Sequence, residues 1–162
     1  MSDSKQVQQI DLKQLVATLR SSTQAQTILA GVIALLALII PFVTVTTNLG
    51  MGMNQSGTLT GFQAAGWSAW LVLLAFALAV ASWFVVQLAP YRLILAGVSV
   101  VTALLAIIVG LWFNPVAGQL SEVNAAMAQL GAANAISIGP NVGILFMLLA
   151  AFTAGFSAWK SR

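Results

Sequence analysis

This chain of 162 residues contains no cysteine and no histidine. Without cysteine, it has no thiol–disulfide chemistry and no thiolate metal site. Without histidine, it has neither a bis-histidine haem site nor a histidine proton shuttle. The two absences exclude quinone-linked thiol oxidases and four-helix b-type cytochromes as functional classes.

Charge is also scarce, because six basic and three acidic residues make up only 6% of the chain while 60% of it is hydrophobic. A soluble domain carries about 25% charged residues and uses them to cover its surface. A chain with so few charges cannot cover its surface with polar groups. The composition therefore predicts an integral membrane protein.

A helix needs about 20 apolar residues to cross the hydrocarbon core of a bilayer. Four uncharged stretches meet that length, at about 27–45, 66–88, 93–113 and 142–159. We therefore predict an all-α membrane protein, a four-helix transmembrane bundle over 27–162 that follows a polar cytoplasmic tail over 1–26 with a short interfacial helix. No small-residue cleavage site follows Val45, so we expect the first stretch to be retained rather than removed as a signal peptide.

All basic residues fall on one side of this arrangement. They are Lys5, Lys13, Arg20, Arg92, Lys160 and Arg162, and the two other connections, about 46–65 and 114–141, hold none. Cytoplasmic loops carry an excess of lysine and arginine. The pattern predicts that both termini are cytoplasmic.

Two further residue sets are predicted from the spans. Aromatic residues at the span ends are expected to anchor the chain at the membrane interface: Trp67, Trp70, Tyr91, Trp112 and Trp159. Small residues at helical spacing are expected to let helices pack closely, within one chain rather than between chains: Ala30, Ala34, Ala75, Ala79, Ser99, Ala103, Ala106, Gly110, Ala150, Ala154 and Ala158. Pro41 is expected to kink the first span.

The two outer connections have patterns of their own. Val43–Thr47 and Thr58–Thr60 alternate as strands do, around a turn-forming segment that contains Met51 and Met53, and this predicts a small β-hairpin. Asn114-Pro115 is a helix-start signal. One apolar stripe follows it, formed by Val116, Leu120, Val123, Met127 and Leu130. It predicts an amphipathic helix on the membrane or over the helices, or alternatively an interface for another chain.

No ionisable residue lies inside a predicted span, although transporters and proton relays keep such groups in the membrane. This excludes small multidrug exporters, which need an intramembrane carboxylate. Asp3 and Asp11 lie in the polar tail, where they do not form the acidic metal site of a membrane phosphotransferase. We therefore expect no catalytic residue, no metal ligand and no cofactor, and a chain that is not an enzyme.

Short motifs carry a resemblance. Pro41-Phe42 ends the first span, Leu59-Thr60-Gly61-Phe62 precedes Gly66-Trp67, and Gly139-Pro140-Asn141-Val142-Gly143 opens the fourth span. In these the chain resembles small bacterial four-span membrane proteins of uncharacterised function. It resembles claudin-like tetraspan proteins in topology only, since the first outer loop lacks their cysteine pair. The resemblance transfers no functional residue.

The leading functional hypothesis is a non-enzymatic structural or accessory subunit of an assembly in the inner (plasma) membrane of a bacterium. Its expected partners are the lipid bilayer and other membrane protein chains, and no nucleic acid. One alternative is a self-associating pore or holin-like permeabiliser. Another is a protein that binds lipid or a hydrophobic ligand in grooves between its helices.

Overall fold

The computed structural model describes residues 22–48, 54–129 and 136–161. This part of the chain contains six α-helices, one 3-10 helix and a three-stranded antiparallel sheet. In chain order the elements are α1 (Thr23–Ile39), β1 (Pro41–Asn48), β2 (Asn54–Thr60), α2 (Gly61–Ala65), α3 (Trp67–Ala81), the 3-10 helix (Val86–Tyr91), α4 (Arg92–Trp112), α5 (Pro115–Gln129), β3 (Ile136–Pro140) and α6 (Val142–Lys160). The predicted interfacial helix of the tail lies outside the described residues.

Among the described residues, two helical segments, not four, are long and apolar enough to cross a membrane. They are Val86–Trp112, which combines the 3-10 helix with α4, and α6. Helices α1 and α3 are apolar but have 17 and 15 residues. The prediction of an all-α protein with four spans, a tetraspan four-helix transmembrane bundle, is therefore wrong. Two candidate spans and a β-sheet replace it.

The first predicted span, 27–45, fails at a proline. Proline disfavours helical backbone in the residue that precedes it, and Ile40 is extended, with φ −76° and ψ 166°. Helix α1 therefore ends at Ile39, and Pro41 is the first residue of β1. The expected kink is instead a change from helix to strand.

The second predicted span, 66–88, fails at a serine turn. Ser82 Oγ donates a hydrogen bond to Ala79 O at 2.7 Å. The next two amides, of Trp83 and Phe84, bond to carbonyls three residues back, as in a 3-10 helix. The α-helix therefore ends at Ala81. Arg92 Nε donates to Ser82 O at 3.0 Å and so satisfies a carbonyl at the end of α3.

The sheet lies at one end of the helices, because β1 follows α1 directly, β2 leads into α2, and β3 leads into α6. Strand β1 is central and pairs antiparallel with both neighbours, in the order β2-β1-β3. Thr44, for example, lies opposite Thr58 on one side and Gly139 on the other. The predicted β1–β2 hairpin is present. Its tip, with Met51 and Met53, lies outside the described residues, and the third strand was not predicted.

The long helices pack through small side chains. Helix α6 contacts both α1 and α4, and α3 contacts both α4 and α1. The buried residues on these faces include Ala30, Ala34, Ala37, Ala69, Ala75, Ala79, Ala96, Ala103, Ala106, Ala150, Ala151 and Ala154. Small residues let helix backbones approach closely, which gains van der Waals contact where water does not drive association.

Phe42 joins the sheet to the helices. Its side chain is fully buried, and it lies against glycines on two helices. A Cβ at Gly110 of α4 would lie 2.8 Å from the Phe42 ring, and one at Gly143 of α6 would lie 2.8 Å from Pro41 O and 2.9 Å from Phe42 Cα. Asn141 N donates to Phe42 O at 3.0 Å. The start of β1 is therefore enclosed by α4 and α6.

Two hydroxyl groups meet between α1 and α6, at the end of these helices that lies away from the sheet. Thr27 Oγ1 and Ser157 Oγ lie 3.2 Å apart and are buried. Each hydroxyl also lies within hydrogen-bond distance of a carbonyl of its own helix, Thr23 O for Thr27 at 3.0 Å and Ala154 O for Ser157 at 2.9 Å. Because each hydroxyl has one hydrogen, the bond across the pair forms when one of them donates to the other hydroxyl instead of to its own carbonyl. Both hydroxyls are thus satisfied without water.

We expect Gly143→Ala to lower the free energy of unfolding by about 1–3 kcal/mol, since an added methyl group would overlap backbone atoms of β1. Thermal unfolding in a mild detergent measures the change. Gly97→Ala in α4 is the matched control, because a Cβ there meets nothing within 4 Å and alanine favours the helix. Equal melting temperatures for the two variants would contradict the close approach at Phe42.

Candidate functional site

The candidate functional site is the end of the protein formed by the three strands and α5, which we call the cap. The cap adjoins three of the long helices directly at that end: β1 follows α1, α5 follows α4, and β3 leads into α6. Its polar side chains are those of threonine, serine, asparagine and glutamine, together with one acidic residue, Glu122, in the described part. The described part of the cap therefore offers mainly neutral hydrogen-bonding groups and little charge.

Helix α5 is tied to the sheet by one asparagine. Asn124 Nδ2 donates to Ile136 O at 3.0 Å, and Ile136 N donates to Asn124 Oδ1 at 3.0 Å. The amide side chain thereby pairs with the backbone of β3 as a neighbouring strand would. The sequence prediction placed a helix here but did not single out Asn124, because an asparagine in a polar stretch gives no local signal of such a contact.

Two more asparagines connect elements of the cap. Asn114 Nδ2 donates to Gly110 O at 3.0 Å, and its Oδ1 accepts from Ala117 N at 2.7 Å, so it closes α4 and caps α5. Asn141 Nδ2 donates to Thr44 Oγ1 at 2.8 Å, and its Oδ1 accepts from Val142 N at 2.6 Å. Each side chain bridges two elements, which holds the cap against the helices.

The apolar stripe predicted on α5 is only partly buried. Leu120 is 8% exposed whereas Val123 is 42% exposed. Met127 is half-buried, and Leu130 lies outside the described residues. The helix therefore faces the rest of the protein with both Leu120 and Asn124, so its contact is mixed rather than purely apolar.

Strand β2 forms an open edge of the sheet. It pairs with β1 on one side, and none of the other described strands pairs with its second side. The side chains of Gln55, Ser56 and Thr58 are exposed, and a Cβ at Gly57 would meet nothing within 4 Å. The strand contains no charge and no proline, which are the usual features that keep an edge from pairing.

The residues predicted to pack helices lie mostly in the interior. Ala30, Ala34, Ala75, Ala79, Ser99, Ala103, Ala106, Gly110, Ala150 and Ala154 are buried. Ala158 is half-buried and lines a hollow between α4 and α6. These residues lie on the helix faces behind the cap and do not form part of it.

The residues predicted to anchor the interface are exposed and lie at the two ends of the helices. Trp67, Trp70 and Trp112 are at the cap end, with exposures of 63%, 67% and 67%. Tyr91 and Trp159 are at the opposite end, with exposures of 53% and 69%. The Trp70 ring packs on Phe62 with their centroids 5.6 Å apart.

The described residues contain no group of three or more carboxylate, histidine or cysteine side chains close enough to hold a metal ion. The groups that the cap presents to a ligand are the backbone groups on the outer side of β2, neutral polar side chains and the carboxylate of Glu122. Such an arrangement is suited to binding another polypeptide through backbone hydrogen bonds.

We expect Asn124→Ala to release α5 from β3, because it removes two hydrogen bonds worth about 0.5–1.5 kcal/mol each. Hydrogen exchange should become faster at the Ile136 amide and along α5. Gln119→Ala, at an exposed position of the same helix, is the matched control. Equally fast exchange in both variants would show that Asn124 does not hold the helix.

Comparison with protein-family models, curated proteins and solved structures found no match to this chain. The resemblance to claudin-like proteins and to small bacterial membrane proteins stays a prediction. The geometry of the cap and of the exposed helix faces is therefore the basis for inferring function.

Proposed function

We propose that this chain is a non-enzymatic accessory subunit of a membrane assembly, held in the bilayer by α4 and α6, and that it binds another chain at the open edge of β2. The observation that carries the proposal is this uncharged, exposed edge on a cap that is fixed to the helices. An edge strand with unpaired backbone groups is a template for an added strand.

The proposed membrane attachment is supported by the outward faces of the two long helices. Val101 on α4, and Leu145 and Phe152 on α6, are 65%, 65% and 72% exposed. Only 33% of the most apolar window of Val86–Trp112, and 39% of that of α6, is buried inside the protein. Large outward apolar surfaces of this kind are costly in water and match a hydrocarbon environment.

The proposed orientation follows from charge. Arg92 begins α4 and Lys160 ends α6, so both basic residues lie at the end opposite the cap. Basic residues favour the cytoplasmic side. We place this end in the cytoplasm and the cap on the outer side of a bacterial inner membrane, and expect the partner to approach from there.

The orientation is tested with single cysteines, which is direct because the chain has none of its own. We expect Gln55→Cys in β2 to react with a membrane-impermeant maleimide added to intact cells. Ser161→Cys, after α6, should react only once the membrane has been opened. Reaction of both in intact cells, or of Ser161→Cys alone, is incompatible with the proposed orientation.

The partner site is tested by introducing lysines on the edge strand. We expect the double variant Ser56→Lys, Thr58→Lys to lose its co-purifying partner in mild detergent, because edge lysines oppose strand pairing. The side chains of both residues are exposed, so the fold should tolerate the change.

Ser137→Lys is the matched control, as Ser137 is an exposed serine on β3 of the same sheet and should retain the partner. A native chain that always runs as a lone monomer would count against the accessory role. Liposomes that leak when the pure protein is reconstituted would instead favour the pore hypothesis.

A further inference from the structure

A polar cleft opens at the end of the helices opposite the cap. It has a volume of about 470 Å³, and its lining includes Thr23, Trp83, Pro90, Arg92, Leu93 and Ser161. The cleft thus brings together the start of α1, the turn after α3, the start of α4 and the residue after α6. Of the described residues that line the cleft, Arg92 is the charged one and the others are neutral.

Arg92 is held in position by two contacts. Its Nε donates to Ser82 O at 3.0 Å, and its guanidinium carbon lies 4.1 Å from the centre of the Trp83 ring. A guanidinium has five N–H donors, and the Nε bond uses one of them, so the terminal amino groups are the ones that a ligand can reach. Among the described residues, Glu122 is the one with a carboxylate side chain. It belongs to the cap, at the opposite end of the helices from Arg92.

The cleft continues into an apolar groove between α4 and α6. Leu93 lines both the cleft and a hollow of about 300 Å³ that includes Gly97, Gly155 and Trp159. Gly155 and Trp159 also line a groove of about 640 Å³ that runs along the two helices past Leu104. The glycines leave space on the surface where side chains would otherwise meet.

Aromatic rings follow one side of this groove on α6. Phe152 and Phe156 stack with centroids 6.4 Å apart, and Phe156 and Trp159 lie 6.1 Å apart. Phe152 and Trp159 are 72% and 69% exposed. The groove therefore has an extended, outward-facing apolar wall that ends beside the polar cleft.

We propose that this surface binds one anionic phospholipid, with the phosphate at Arg92 and an acyl chain in the groove between α4 and α6. The proposal rests on the membrane attachment argued above. Phosphate oxygens match the donors of a guanidinium, and basic pockets between membrane helices on the cytoplasmic side bind anionic headgroups. A positive cleft joined to an apolar groove fits a molecule that has both parts.

Native mass spectrometry of the full chain, in detergent with equal amounts of phosphatidylglycerol and phosphatidylcholine, tests the proposal. We expect one retained phosphatidylglycerol per chain. Arg92→Gln should lower its retention about tenfold, the effect of losing one charge-assisted hydrogen bond. Lys160→Gln is the matched control, because it removes the same charge at the same end but does not line the cleft, and it should retain the lipid.

A second pair of variants tests the groove. Gly97→Leu should also lower retention of phosphatidylglycerol about tenfold by filling the hollow, and it should fold, because a Cβ at this position meets nothing within 4 Å. Val98→Leu, at the neighbouring exposed position, should retain the lipid. Thermal unfolding of all variants checks that the fold is intact.

Equal loss with Arg92→Gln and Lys160→Gln would overturn the proposal, because binding would then follow overall charge. Equal retention of the two lipids by the native chain would also overturn it. So would unchanged retention in Gly97→Leu, or binding of inorganic phosphate alone with no lipid retained. Lipid adducts are counted on the purified chain whether or not a partner co-purifies, so failure of the accessory role is read separately.

Discussion

The arrangement of the whole protein depends on where the Phe42 ring lies. The ring is buried at the point where α1 gives way to β1, and it contacts α4 and α6 where each has a glycine, Gly110 and Gly143. A large ring beside helix backbones gains many small dispersion contacts. Because Phe42 belongs to the central strand, its position also sets that of the sheet, and Asn141 bonds to its carbonyl.

The contacts between helices and the contacts within the cap are formed by different residue types. Alanine and serine line the helix contacts, where close approach matters more than the burial of large side chains. Asparagine serves the cap, where Asn114, Asn124 and Asn141 each connect two elements through both ends of one amide. These neutral amides hold the described part of the cap against the helices, which suits a surface that presents a strand edge.

The two ends of the molecule offer different chemistry. The cap end presents backbone hydrogen-bonding groups of β2, whereas the opposite end presents Arg92 on a polar cleft that runs into an apolar groove. Ser82 contributes to this second end because its turn stops α3 early and leaves a carbonyl for the Arg92 side chain. The short length of α3 and the position of Arg92 are therefore parts of one local structure.

Much of the fold could be predicted from local patterns in the sequence. The apolar runs located the long helices, the threonine–valine alternation located the β1–β2 hairpin, and Asn114-Pro115 located the start of α5. The early end of α1 also has a local cause, since the residue before Pro41 is driven to extended backbone. The low charge content predicted a membrane protein, and the two long apolar helical segments among the described residues are compatible with that prediction.

Only the tertiary structure decided the rest. Strand β3 is five residues long, too short for its alternation to stand out, and it exists because β1 pairs with it across a wide gap in sequence. The bond from Asn141 to Thr44 joins residues 97 apart, and the Phe42 position and the Arg92 cleft likewise combine distant segments. Local periodicity describes which face of an element is apolar, but it carries no information on which distant partner satisfies a given amide, ring or charge.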